Sequence, residues 1–172
     1  MNTTWHVGIV TVSDRSSTGE REDKSGPILK ELAQQINGNI TAHKVIPDDR
    51  PQIEKTLSFL ADVEQCDLIM TTGGTGLTAR DVTPEATQSV IHKEVPGIAE
   101  AMRMETFKQT KMSVLSRGVA GIRGKTLIIN FPGSPKAIKE CFDVIEPALP
   151  HALQLLRGNS GHLGQPNVTD RE

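Results

Sequence analysis

The sequence contains no tyrosine and only one tryptophan in 172 residues. Stacking on nucleic-acid bases needs aromatic platforms, so a nucleic-acid partner is not expected. Basic residues are not in excess either, and the formal net charge of −2 argues against a broad polyanion-binding surface. An anionic ligand would have to be held by local dipoles and a few placed cations. There are two cysteines, Cys66 and Cys141, too few and too far apart to read as a metal cluster. They read as buried free thiols, in keeping with a reduced, cytoplasmic compartment. No apolar run approaches the ~20 residues that span a bilayer, and no basic region precedes an apolar stretch near the first residue. A membrane span and a secretory signal are therefore not expected. The five histidines show no ligand spacing, and no Ser-His-Asp or Cys-His arrangement can be composed.

What is present suits one globular domain. Hydrophobic residues make up 36% and charged residues 23% of the chain, without repeats or low-complexity tracts. Residues 1–157 are expected to form the domain, and the Gly/Pro/Asn/Asp-rich residues 158–172 a frayed tail. Residues 6–13, 67–72 and 125–131 are short β-branched, almost wholly apolar runs, as in strands covered on both faces. Residues 40–46 alternate in the manner of a strand. Helical spacing marks stretches beginning near Ser25, Pro51, Pro84, Ile98, Pro135 and Pro147. Ser25 and Ser134 are the expected N-caps of two of these helices, and residues 84–93 are expected to be wholly helical. Residues 112–124 show a weaker pattern punctuated by Gly118, Gly121 and Gly124. Strands alternating with helices predict a three-layer α/β/α fold around a mainly parallel sheet.

In such sheets ligands bind beyond the carboxyl ends of the strands. Those ends carry residues 13–15, 47–49, 72–81 and 132–136. The third of these belongs to LIMTTGGTGLTARDVTP, residues 68–84. There Thr72, Gly73, Gly74, Thr75 and Gly76 offer backbone amides and hydroxyls suited to a phosphate. Asp48 and Asp81 each follow a strand by a short loop. Either could be a turn or cap residue, and on one sheet edge the two could share Mg²⁺. Pro132, Gly133, Ser134 and Lys136 form a second candidate anion site at a helix N-terminus. Ser13, Asp14 and Arg15 could bind polar ligand groups or form a surface turn. Two common nucleotide signatures fit poorly. Residues 74–79 spell G-x-G-x-x-A, but after the third strand and with Arg80 to Pro84 before the helix; residues 118–126 have one residue too many for a P-loop.

The motifs TTGGTGLTARDVTPEAT (residues 71–87), VSDRSS, DKSGP, IPDD and FPGSPKAIKEC resemble the molybdopterin-binding MogA/MoaB family over roughly residues 5–156. The RDVTP form is closer to the MogA branch, and the short C-terminus resembles MoaB. The resemblance implies Mg²⁺-ATP-dependent adenylylation of molybdopterin with release of pyrophosphate, or, on the MoaB side, molybdopterin binding without catalysis. It further implies that Asp48 and Asp81 are the catalytic, metal-holding acids and that Gly73, Gly74, Thr75 and Gly76 hold phosphate. Ser13, Asp14, Arg15, Ser25, Gly26, Pro132, Gly133, Ser134 and Lys136 would line the pterin and nucleotide pocket. A homotrimer, with hand-over of the product to a molybdate-inserting MoeA-type protein, is also implied.

Overall fold

The computed structural model describes residues 3–158. Residues 159–172, nearly all of the expected tail, lie outside the described residues. Strand β1 (Trp5–Val12) leads through a four-residue helical turn, α1 (Asp14–Ser17), to helix α2 (Ser25–Gln35). Then follow β2 (Gly38–Ile46), α3 (Arg50–Asp62), β3 (Leu68–Thr72), α4 (Thr83–Val90) and β4 (Lys93–Glu94). Helix α5 (Pro96–Phe107), a 3₁₀ turn (Lys111–Leu115), β5 (Ala120–Arg123), β6 (Thr126–Phe131), α6 (Pro135–Ile145) and α7 (Leu149–Leu156) complete the α-helices and strands of the described residues. The six strands form one sheet in the order β2-β1-β3-β6-β5-β4. The first four of these run parallel, whereas β5 and β4 pair antiparallel at one edge.

The period-2 alternation of the strands builds two cores. Val7 and Ile9, Leu68 and Met70, and Leu127, Ile129 and Phe131 pack with α2, α5, α6 and α7. Val10 and Val12, Ile69 and Ile128 face the other way, against α3 and α4. This two-sided burial is why these strands read as continuous apolar runs, and the three-layer expectation holds.

Two local expectations are corrected, and one open stretch is resolved. Residues 84–93 are not one helix: α4 ends at Val90, and Lys93 and Glu94 pair with Ile122 and Gly121 as a short antiparallel strand. The weakly patterned stretch over residues 112–124 contains β5. Ser25 is the first helical residue of α2 rather than its cap, and the capping is done by Asp23, whose Oδ1 accepts from the backbone N–H of Ser25 and Gly26. Ser134 does occupy the N-cap position of α6 but makes no side-chain cap bond.

A polar residue in the middle of the sheet ties the layers together. Asn130, 1% exposed, donates from Nδ2 to the hydroxyls of Thr71 and Thr87, each at 3.0 Å, and accepts from Val119 N–H. Its amide thus joins β3, β6, α4 and the chain entering β5. Removing one member strands its buried partners, which costs about 1–3 kcal/mol per group. Asn130→Ala is expected to lower the urea midpoint by an amount equivalent to at least ~2 kcal/mol, with an unchanged denaturant slope.

Candidate functional site

The carboxyl ends of β1, β3 and β6 meet beneath the glycine loop. Gly73 and Gly74 both have positive φ, +94° and +68°, which a glycine adopts without steric cost. A β-carbon at Gly73 would run into the carbonyl oxygen of Val12, and one at Gly74 into the hydroxyl of Thr83. Both glycines are therefore imposed by close approach within the fold itself. Thr83, fully buried at the start of α4, holds their carbonyls: its N–H donates to Gly74 O at 3.1 Å and its hydroxyl to Gly73 O at 3.0 Å. Helix α4 opens only here, well beyond Gly76, so the glycines do not sit at a helix N-terminus as a dinucleotide fingerprint requires.

A polar cavity of about 530 Å³ lies on one side of the loop. Ser13, Asp23, Ser25, Thr72, Gly73 and Ser134 are among the residues lining it. Ser25 Oγ donates to Gly133 O at 2.7 Å and Thr72 Oγ1 to Pro132 O at 2.8 Å, closing the wall between the α2 and α6 loops. A second, mainly apolar cavity of about 350 Å³ shares Ser134 and is lined by Pro132, Lys136, Met102, Met112 and Arg103 among others. The ridge formed by residues 132–134 separates the two. Lys136 is exposed, with Glu140 Oε1 3.8 Å from its Nζ.

Behind the polar cavity stands a cluster that the sequence reading did not include. Asp23 Oδ2 accepts from the Thr11 hydroxyl at 2.8 Å and lies 3.2 Å from His43 Nε2. The two atoms are within hydrogen-bond distance, and a carboxylate oxygen there accepts from a ring N–H. Burial, helped by the nearby charge of Lys30, holds His43 below its ordinary pKa, against the pull of Asp23. The contact thus favours a hydrogen bond from the ring to the carboxylate over a full ion pair. A β-carbon at Gly26 would collide with both His43 Nε2 and Asp23 Oδ2. Gly26 thus serves this packing and is absent from the lining of both cavities.

Asp48 and Asp81 flank the glycine loop away from both cavities. Asp48 Oδ2 accepts from Asp14 N–H, and Asp14 Oδ1 accepts in return from Asp48 N–H, each at 2.9 Å. This reciprocal pair bridges the ends of β1 and β2. Asp14 also takes a two-pronged ion pair from Arg80, which holds its carboxyl below the usual range. Burial pushes Asp48 up, and the negative charges of Asp14 and Asp81 add to this against the Asp14 backbone bond. Asp81 Oδ2 accepts from the N–H and hydroxyl of Thr78. A β-carbon built on Gly74 would lie 3.1 Å from Asp48 Oδ1, and one on Gly76 would lie 2.9 Å from Asp81 Oδ2. Among the described residues neither Asp48 Oδ1 nor Asp81 Oδ1 has a hydrogen-bond donor. Two carboxylates, each with one uncommitted oxygen, and one of them raised by burial and neighbouring negative charge, fit a hard divalent cation that takes its remaining ligands from water and phosphate.

Ser13, Ser25, Thr72, Gly73, Gly133 and Ser134 are thus brought together at the polar cavity, and Pro132 and Lys136 at its neighbour. Asp14, Asp48, Asp81 and Gly76 are gathered beyond the loop, and Thr75 is buried beneath it. Arg15 is exposed and lines neither cavity. Thr83, Asp23, His43 and Arg117 were missed. For Asp23 the local signal was available, as an aspartate preceding a Ser-Gly-Pro helix start.

The family described as "Probable molybdopterin binding domain" matches residues 8–151. A protein of Helicobacter pylori named molybdopterin adenylyltransferase is 44% identical over 167 residues, covering 96% of this chain and 95% of that one. The protein of that name from Escherichia coli is 40% identical over 169 residues, covering 90% of this chain and 87% of its own. Among solved structures, the molybdopterin biosynthesis enzyme MoaB of Thermus thermophilus superposes with a TM-score of 0.86 at 48% identity, over 90% of this chain and 98% of that one. With the family matched across nearly all of the described fold, and relatives of this identity over most of its length, the chain belongs to the molybdopterin-binding family of the MogA and MoaB proteins.

Proposed function

We propose that this protein is a molybdopterin adenylyltransferase, which joins AMP from ATP to the terminal phosphate of molybdopterin and releases pyrophosphate. The observation that carries the reading is the pair Asp48 and Asp81 beside the glycine loop, each keeping a carboxylate oxygen without a donor among the described residues. The names of the relatives from Helicobacter and Escherichia supply the substrate.

The reaction needs two phosphates brought in line and negative charge offset as it moves toward pyrophosphate. In this reading the backbone amides of residues 74–76 and the N-terminus of α6 with Lys136 hold phosphate oxygens, the Gly73 N–H being taken by Phe131 O. The hydroxyls of Ser13, Ser25, Thr72 and Ser134 orient the polar groups of the ligand along the larger cavity. Asp48 and Asp81 would hold Mg²⁺, which when bound offsets phosphate charge and orients the triphosphate. Adenylyl transfer to a phosphate uses the substrate's own oxygen as nucleophile, so no side-chain nucleophile is needed. The thiols agree with this: Cys66 and Cys141 are buried, and burial pushes Cys141 up to about 11.

The reading extends to a cytoplasmic homotrimer that hands its product to a molybdate-inserting MoeA-type protein. The apolar surface of Met104, Phe107, Met112, Val114 and Leu115, on α5 and the 3₁₀ turn, supports self-association. No described helix is long and apolar enough to cross a membrane. A binding-only role has the MoaB name of the Thermus neighbour in its favour, and turnover separates the two.

Purified protein with Mg²⁺-ATP and molybdopterin is expected to release pyrophosphate. Asp81→Asn should slow that release on the order of 100-fold while molybdopterin affinity stays within a few-fold. Intact molybdopterin binding without pyrophosphate from the wild type would leave only the binding role. Asp48 gives a pH signature. A carboxyl with its folded pKa raised favours the fold at acid pH, and that contribution is lost as pH rises through the raised value. Metal-free Asp48→Asn should therefore melt above the wild type at neutral pH and level with it in acid, by calorimetry. Light scattering is expected to give the mass of three chains.

A further inference from the structure

We infer that Arg117 is a positioning residue that holds the loop carrying Asp81 in place. The inference rests on the reading of Asp48 and Asp81 as the metal-holding pair. Between Thr72 and Thr83 the chain has neither helix nor strand, and Leu77, Thr78, Ala79 and Arg80 are exposed. Its own internal bonds are few: Thr78 with the Asp81 carboxylate, and Asp81 N–H to Thr78 O. Such a segment would not by itself keep a carboxylate oriented.

Besides the Arg80–Asp14 ion pair and the bonds of Thr83 to Gly73 and Gly74, the loop is anchored by Arg117, from the chain between the 3₁₀ turn and β5. Its Nε donates to Gly76 O and its Nη2 to Asp81 O, both at 2.7 Å. Nη1 pairs with Glu85 Oε1 on the first turn of α4, and the Arg117 backbone N–H donates to Thr75 O at 2.9 Å. One side chain therefore grips the near end of the loop, the main chain of the metal-facing residue, and the helix that follows. Only a planar fork with several fixed donors can span these acceptors; a lysine ammonium cannot.

Glu85 shows how committed the arrangement is. Its Oε2 is buried without a partner among the described residues, and the Arg117 hydrogen bond holds its carboxyl below the ordinary value. The charge of Glu85 is tolerated there because Arg117 stands against it. Arg117 itself lines neither cavity, although its neighbours Ser116 and Gly118 line the apolar one, and its side-chain bonds all go to the loop and α4.

The test uses the full chain with Mn²⁺ as probe, followed by electron paramagnetic resonance, alongside amide hydrogen exchange. Arg117→Ala should bind Mn²⁺ about 10–100-fold more weakly, the range found when residues supporting metal ligands are removed. Amides of residues 76–82 should exchange faster while β1, β3 and β6 keep wild-type protection. Free guanidinium should restore both, and Arg117→Lys should not. Arg117→Ala combined with Glu85→Gln removes the carboxylate charge left without its arginine and is expected to behave in the same way, which covers the case of a single variant that folds poorly. Wild-type exchange of the loop in these variants would overturn the inference. If the wild type binds no Mn²⁺, the metal reading of Asp48 and Asp81 falls instead, and loop exchange still decides the role of Arg117.

Discussion

The site depends on one steric constraint: the chain leaving β3 passes so close to the end of β1 that residue 73 has no room for a side chain. That approach forces the turn, and the turn aims the strand end into the loop rather than directly into a helix. Everything placed beyond it follows. Thr83 can then reach back to two glycine carbonyls, and Asp81 lands beside Gly76. A phosphate-binding role and a structural requirement are thus not alternatives for these glycines. The fold demands them, and the Gly74 and Gly76 amides of the resulting turn are what an anion would use.

The electrostatics of the loop's outer side form a graded series. Arg80 neutralises Asp14, and Asp14 in turn positions Asp48 through paired backbone bonds. Asp48 is left with burial and like charge acting on it and no ion pair of its own among the described residues. The protein arranges its acids so that the one next to an arginine is committed and the one next to the glycines is not. A half-buried carboxylate raised in this way is a common mark of a functional position.

Much of this was legible in the sequence because the informative residues obey local rules. The parallel strands are apolar on both faces, and proline marks the first turn of α3, α4, α5 and α6. The sheet-edge argument then gathered Ser13, Asp48, Asp81 and Ser134 without further assumption. What escaped was held by distant partners. Strand β4 is two exposed residues whose only strand character is their pairing with β5, and β5 itself is short and contains a glycine. Arg117 bonds to Gly76, 41 residues earlier, within a stretch that carries no periodic signal. Arg15 illustrates the converse: its neighbours in sequence face the site, while it points to solvent at the turn.

The opposite edge of the sheet has its own fastening. Arg157, just past α7, pairs with Asp67 before β3, donates to Thr4 O and stacks 4.5 Å over the Trp5 ring. The first strand and the last helix of the described fold are therefore clasped to each other at the amino ends of the strands. Thr4 and Arg157 thus lie at the end of the sheet opposite the glycine loop. Loosening this clasp would free the amino ends of the strands while leaving the turn at residue 73, at their carboxyl ends, untouched.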